Sequence, residues 1–408
     1  MIHEYLSHAF EKWKSHARSY NEMEELRKEV ASVKYSDTGS FDLDKFNGKK
    51  FNTKTKLYDS PQGLWENHKT YSFNKAGLPI IEDIQHVHNN QTWSGYFVYT
   101  VGETRYLQFE HNDFICTVLS WIEWHDGKKR SLNSIRFQYG AAEYLKLDVA
   151  GFVERTRSNE TGALIWSCEI FNYDEHDNQI QTADNFYHSP GLGFFKAKDI
   201  YTYSADGKLE TIRSENPQPD NTIRTVIKFS RPPKGETVRS LTGKLTERIS
   251  TTILRALQQE KSVNPIMQLE MYYRSVDRYV PSIMCATEEE VERFEHSLIH
   301  GLHERFFGSQ WMKHNLEWEM DEETERLYVR FLSSISESEN WDAGENMMCL
   351  VAKNINAKAI GSVEAYLPGN FFCYAIDYEL DCSDLERMLI KCGVSKSQVA
   401  YWKKTGRL

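Results

Sequence analysis

The stretch that most constrains the fold is Tyr201 to Leu209, which reads Tyr-Thr-Tyr-Ser-Ala-Asp-Gly-Lys-Leu. Two aromatic residues at alternate positions run into Asp206-Gly207, a pair that accepts positive φ, and an apolar position follows. This is the local signature of a β-hairpin. The pattern recurs: Phe171-Asn172-Tyr173-Asp174 precedes Asp177-Asn178 and Ile180, and Tyr71-Ser72-Phe73-Asn74 precedes Gly77 and Leu78. In all three the turn residue falls four places after the second aromatic.

Around these hairpins, residues 41 to 233 have one texture. Short alternating runs at Thr92 to Val101, Arg105 to Phe109, Phe114 to Trp124, Ile135 to Tyr139, Leu164 to Tyr173, Ile200 to Tyr203 and Ile223 to Phe229 are separated by Gly, Asn and Asp. Aromatic and β-branched residues of this kind suit a pleated, half-buried surface. Without a helical period between them, they predict an antiparallel β-meander or an open, barrel-like sheet. Ahead of it, Leu6, Phe10, Trp13, Ala17, Tyr20, Met23, Leu26 and Val30 recur at helical spacing, predicting an amphipathic helix from Ile2 to about Val33.

Arg231-Pro232-Pro233 ends the β texture, because a double proline cannot continue a ladder. Residues 234 to 408 then mix helices and strands. Leu241, Leu245, Ile249, Ile253 and Leu257 mark a helix, and Ile266 to Val276 a strand. Thr287 with Glu290 forms a capping box opening a helix, and Ser383 with Glu386 and Ser395 with Gln398 open two more. Leu316 to Met320 and Leu327 to Leu332 flank Asp321-Glu322-Glu323-Thr324 and predict a hairpin. A helix from about Ala343 and a strand at Phe371 to Tyr378 follow. The expected fold class is α+β in three parts: a helix within 1–40, a β-rich hairpin domain over 41–233, and a separate α+β domain over 234–408.

The formal net charge is -10. An acidic surface repels phosphate backbones, which disfavours nucleic acid as a partner. The basic run Lys128-Lys129-Arg130 reads as a solvated tip. The seven cysteines are an odd number without a C-x-x-C pair, which argues against a disulfide framework or a structural zinc site. No signal segment or long apolar run is seen, so a cytoplasmic protein away from membranes is expected.

The repeating aromatic-x-aromatic-Asp/Asn unit resembles the tyrosine-aspartate (YD) hairpin repeats of Rhs-type bacterial proteins; Tyr173-Asp174 supplies the dipeptide, while Phe73-Asn74 and Tyr203-Ser204 depart from it. From Leu245 to Leu408, a leading helix, a strand and the helix start Ala286-Thr287-Glu288-Glu289 are similar in layout to immunity domains of bacterial polymorphic toxin systems. That resemblance implies a protein that binds and blocks a toxin and catalyses nothing.

Two groups of residues carry candidate chemistry. Glu288, Glu289, Glu292 and Glu295 on one helix, with Glu322 and Glu323 further on, form acidic runs suited to long-range attraction of a basic protein partner. His296, His300 and His303 fall on one helical face, and histidines at i and i+4 share a zinc ion in metalloproteases. Ser297 stands where that motif needs its glutamate, so the general base is missing. His86 and His88, alternate residues of a strand, share one side. No G-x-S-x-G elbow and no phosphate-loop glycine pattern is present; Gly191-Leu192-Gly193 reads as an ordinary loop. The expected function is protein binding without a cofactor, toxin neutralisation being its concrete form; the alternative is a metal-dependent hydrolase, with zinc on the three histidines.

Overall fold

The computed structural model describes residues 2–36, 57–62, 68–86, 91–158, 164–174, 176, 179–191, 193–218, 220–259, 265–273, 281–296, 312, 314–337, 340, 342–361, 371–377 and 385–405. The fold is α+β, with ten helices and sixteen strands among these residues. The chain divides into two compact units, Met1–Lys228 and Phe229–Leu408.

The first unit is built on an open antiparallel sheet of twelve strands whose spatial order is their order in the chain. They are β1 (Ser32–Ser36), β2 (Lys69–Phe73), β3 (Pro79–His86), β4 (Gln91–Tyr99), β5 (Glu103–Glu110), β6 (Cys116–His125), β7 (Lys128–Phe137), β8 (Leu164–Tyr173), β9 (Ile180–Ser189), β10 (Gly193–Tyr203), β11 (Leu209–Pro217) and β12 (Ile223–Ser230).

The three hairpins read from the sequence are β2–β3, β8–β9 and β10–β11, and they are built alike. Asn74 N, Asp174 N and Ser204 N donate to Leu78 O, Gln179 O and Lys208 O. A register shift precedes each turn, at Ser72/Phe73, Asn172/Tyr173 and Thr202/Tyr203. The first turn residue also caps the loop with its own side chain: Asn74 Oδ1 accepts from Ala76 N and Leu78 N, and Ser204 Oγ from Lys208 N. Gly77 and Gly207 take φ of 73° and 74°, which a side chain would disfavour.

Four aromatics near strand ends, two of them the second aromatic of the motif, have a distinct job. Tyr203 Oη donates to Ile180 O at 2.9 Å, Tyr173 Oη to Lys129 O at 2.9 Å and Tyr99 Oη to Pro79 O at 2.9 Å, while Trp124 Nε1 donates to Thr104 Oγ1 at 3.1 Å. Each ring sits at the end of an even-numbered strand and fastens it to the start of the strand before. Lys129, expected at a solvated tip, is instead buried with its ammonium 3.9 Å from the Phe171 ring. It lies within β7, so the sheet encloses it.

Helix α1 (Ile2–His16) covers one face of this sheet, burying Leu6, Ala9, Phe10 and Trp13. Its partners Leu107, Phe109, Leu119, Trp121, Ile135, Phe137 and Trp166 alternate along β5 to β8, so one side of each strand is committed to the core. Trp13 Nε1 donates to Cys116 O at 2.8 Å. Two short helices that the sequence reading did not anticipate, α3 (Ala141–Tyr144) and α4 (Val149–Ser158), interrupt the meander between β7 and β8. Phe152 of α4 stacks on Phe10 at 4.0 Å, which gives this insertion its reason.

The expected helix to Val33 is corrected. The chain leaves α1 after His16, makes α2 (Tyr20–Glu24) and a 3-10 turn (Glu25–Glu29), and enters β1 at Ser32, so that Val33 is a strand residue. The apolar period continues to Val30 because the whole segment lies along the sheet, and that period alone does not reveal the break. We call residues 20–29 the strap.

In the second unit, β13 (Ile266–Tyr273), β14 (Ser282–Thr287), β15 (His314–Asn315) and β16 (Phe372–Asp377) form a sheet of order β15-β14-β13-β16. β13 and β16 are parallel and the other pairs antiparallel. Helices α5 (Val238–Gln259), α6 (Glu288–His296), α7 (Glu322–Glu337), α8 (Asp342–Gly361), α9 (Leu385–Lys391) and α10 (Lys396–Lys404) complete it. The buried stripe of α5, from Leu241 to Leu257, shares a core with Leu269, Met271, Phe331, Met347 and Ile355.

The hairpin expected around residues 321–324 is a helix start. Asp321 Oδ1 accepts from Thr324 N at 2.7 Å as an N-cap, and Leu327, Phe331 and Ile335, four apart, are buried along α7. Side-chain capping won over turn formation there.

Candidate interaction surfaces

Of the expected acidic residues, Glu288, Glu289, Glu322 and Glu323 lie at two helix starts, and Glu292 and Glu295 lie further along the first of these helices. Glu288, Glu289 and Glu290 occupy the first turn of α6, where the backbone N–H groups favour negative charge. Thr287 and Glu290 form the anticipated capping box, with Thr287 N donating to Glu290 Oε2 at 3.1 Å and Glu290 N to Thr287 Oγ1 at 3.4 Å. Glu289 is paired with Arg293 at 2.5 Å and Glu322, in the first turn of α7, with Arg326 at 2.6 Å. Glu288, Glu292 and Glu323 are exposed, and Glu295 belongs to the end of α6. The carboxylates in the two first turns therefore have structural work there, and the charges of Glu289 and Glu322 are already paired with arginine.

His296 ends α6, while His300 and His303 lie outside the described residues, as does His88 of the other pair. Among the described residues no group of three or more His, Cys, Asp or Glu is placed to hold a metal ion.

A denser constellation, unseen in the sequence, fixes the strap to β3, β4 and β5. Arg27 reaches Asp83 with both terminal nitrogens at 2.9 Å and Glu24 through Nε at 2.9 Å. Ser94 Oγ donates to Asp83 Oδ1 at 2.5 Å and lies 2.9 Å from His111 Nε2. Tyr96 Oη donates to Glu24. Burial works against ionising Glu24, yet the bonds from Tyr96 and Arg27 outweigh it and hold its carboxyl below the usual range. Burial and the neighbouring Glu24 raise the Tyr96 phenol.

A serine beside a histidine invites comparison with nucleophilic catalysis. Here the arrangement points elsewhere: Ser94 is fully buried, and its proton is directed at Asp83. The serine acts as a relay between a clamped carboxylate and an imidazole. Above it, the ring of Tyr20 packs 4.5 Å from Phe114, and His111 is 5.9 Å from both. Phe114 is half exposed at φ 53°, an unusual conformation for a bulky residue. Its contact with Tyr20 gives the strap an apolar stop.

At the opposite ends of the strands lies an exposed apolar corner. Leu78 and Tyr99 are 37% and 39% exposed, and Val101, at the β4–β5 tip, is fully exposed. The bond from Tyr99 Oη to Pro79 O holds the two hairpins side by side, and burial lifts the Tyr99 phenol to about 12, so it stays a donor.

No protein-family model matches this chain, and no curated protein matches it. A crystal structure of a porin-like protein from Bacteroides vulgatus ATCC 8482 aligns with 50% of this chain and 100% of its own, at 10% identity and a TM-score of 0.25. A likeness that weak carries no argument about fold or function. No helix among the described residues is long and apolar enough to cross a membrane.

Proposed function

We propose that this chain is a protein-binding module and that its partner is a basic protein, with neutralisation of a bacterial toxin inside the cytoplasm as the concrete form. The observation that carries the reading is the corner of Leu78, Tyr99 and Val101. A β-branched residue at a hairpin tip gains nothing from turn geometry, which favours Gly, Asn or Asp. Full exposure also leaves its apolar surface in water, at roughly 25 cal/mol for each Å² that a partner would cover. Tyrosine beside it is a residue type favoured at binding hot spots.

The acidic turns of α6 and α7 support the same reading in a different way. Charges of this kind accelerate encounter with a basic partner and add little to the final affinity. The resemblance to YD repeats and to immunity domains is consistent with such a role, and it enters as part of the proposal.

The test is a tagged pull-down from the native cell, comparing the intact chain with Val101→Asp/Tyr99→Ala and with Glu288→Lys/Glu292→Lys/Glu323→Lys. The corner variant is expected to release a stoichiometric basic partner. The charge variant is expected to slow association at low salt and leave dissociation unchanged. A partner retained by both variants, or none captured by the intact chain, overturns the proposal.

A further inference from the structure

We infer that the junction between α1 and the strap is an acid-sensitive clasp, closed while His16 is neutral and loosened when its imidazole takes up a proton. Arg105 Nη1 lies 2.7 Å from His16 Nε2. A guanidinium donates and never accepts, so this bond requires a bare lone pair on Nε2. A proton there would set one N–H against another.

The surrounding charges decide the balance. From β5, Arg105 is paired with Glu103 through Nε at 2.8 Å; from α1, Lys12 is bonded to the same carboxylate. From α2, Glu22 also faces the imidazole. A protonated His16 would make three cations against two carboxylates, with the 2.7 Å contact to Arg105 now between like charges. Burial first, then Arg105 and Lys12, lower the imidazole's affinity for a proton; Glu103 and Glu22 oppose them and lose. The undocked junction therefore binds the proton more readily than the docked one. Docking is complete above about pH 6.5 and weakens as pH falls below it.

Which side of the junction gives way follows from burial. Helix α1 buries Leu6, Ala9, Phe10 and Trp13, whereas neither α2 nor the 3-10 turn buries a residue fully. The hinge itself is held by backbone bonds from Ser19 N to His16 O at 3.0 Å, Met23 N to Ser19 O at 3.0 Å and Cys116 N to Ala17 O at 2.9 Å. Loosening at His16 thus passes to the strap, which carries Tyr20, Glu24 and Arg27, while α1 stays seated.

Amide hydrogen exchange on the full chain between pH 7.5 and 5, corrected for intrinsic rates, tests this. Protection of Ser19, Met23 and Cys116 is expected to fall relative to the middle of α1, by roughly tenfold for each unit separating the docked and undocked imidazoles. In His16→Gln, whose carbonyl still accepts from Arg105 without titrating, that pH dependence should vanish. Equal pH dependence in both proteins, or none in the intact one, overturns the clasp. Should the variant not fold, the nitrogen shifts of His16 in the unaltered protein decide: an Nδ1–H tautomer titrating below 6.5 supports it, and a ring protonated at neutral pH overturns it.

Discussion

A Cβ added to Gly95 would fall 2.4 Å from Tyr106 Oη and 2.5 Å from a carbon of its ring. The missing side chain at 95 is thus what lets the tyrosine lie across β4. There its hydroxyl donates to Glu82 Oε2 at 2.8 Å, opposite Tyr71, which donates to Oε1 at 2.8 Å. Lys69 adds an ion pair at 2.9 Å. Glu82 is 2% exposed, so these three groups replace its water. Gly95→Ala should lower stability by about 2–4 kcal/mol, through overpacking and the loss of a donor to a buried carboxylate. Urea unfolding would show it; a loss under about 0.5 kcal/mol would mean that Tyr106 has a second resting place.

The aromatic fasteners offer a test by addition. Tyr99→Phe, Tyr173→Phe and Tyr203→Phe each remove one hydrogen bond and little else, and each is expected to cost about 1 kcal/mol. They sit on different strands, so the triple variant should lose close to the sum of the singles. A triple variant that unfolds far earlier than the sum implies would show that the fasteners act cooperatively.

In the second unit one side chain joins three elements. Asn356 of α8 donates to Cys373 O and Cys392 O at 2.8 Å each and accepts from Cys373 N at 2.6 Å. Asn356→Leu would strand these main-chain groups in the core, at about 1–3 kcal/mol for each that stays unpaired. The expected result is an early thermal transition for this unit, followed by native-state proteolysis mapped to Phe229–Leu408. An unchanged Tm would show that water takes over the amide's role.

Glu345 predicts a pH dependence. Burial resists its ionisation, but Arg387 at 2.8 Å and Lys391 at 2.5 Å outweigh that and hold its carboxyl below the ordinary value. The unfolded chain then binds the proton more tightly, so the contribution is complete above about pH 4.5 and is lost as pH falls through the lower, folded value. Thermal unfolding of Glu345→Gln should accordingly depend less on pH between 5 and 3 than that of the unaltered chain. Parallel curves for the two proteins would contradict the pairing.

What could be read in advance was local. Asn74 with Gly77 and Asp206 with Gly207 declare their turns within a few residues, and Ser395, whose Oγ accepts from Gln398 N at 3.1 Å, declares a helix start in the same way. Asp321 is ambiguous on those terms, because the same side chain caps a helix and opens a turn. The spacing of Leu327, Phe331 and Ile335 was the available signal that favoured the helix. β14 was missed because Ile283-Met284-Cys285-Ala286 is too short and evenly apolar to show a period.

The strap site was out of reach for a different reason. Ser94 meets His111 only through the register that sets Ser94 opposite Phe109, and Arg27 finds Asp83 across 56 positions of sequence. Neither pairing leaves a trace in local spacing. The exposure of Val101 is likewise a property of the finished tip.

The order of the large sheet has a consequence for how it is made. Since each of its twelve strands neighbours only those next to it in the chain, no strand has to await a ladder partner from beyond the strand that follows it. Synthesis from the N-terminus can then complete the ladder one rung at a time, each fastening ring docking onto a strand that has already emerged. The growing edge is covered by the next segment to appear, which shortens the interval in which an open β edge could capture another chain.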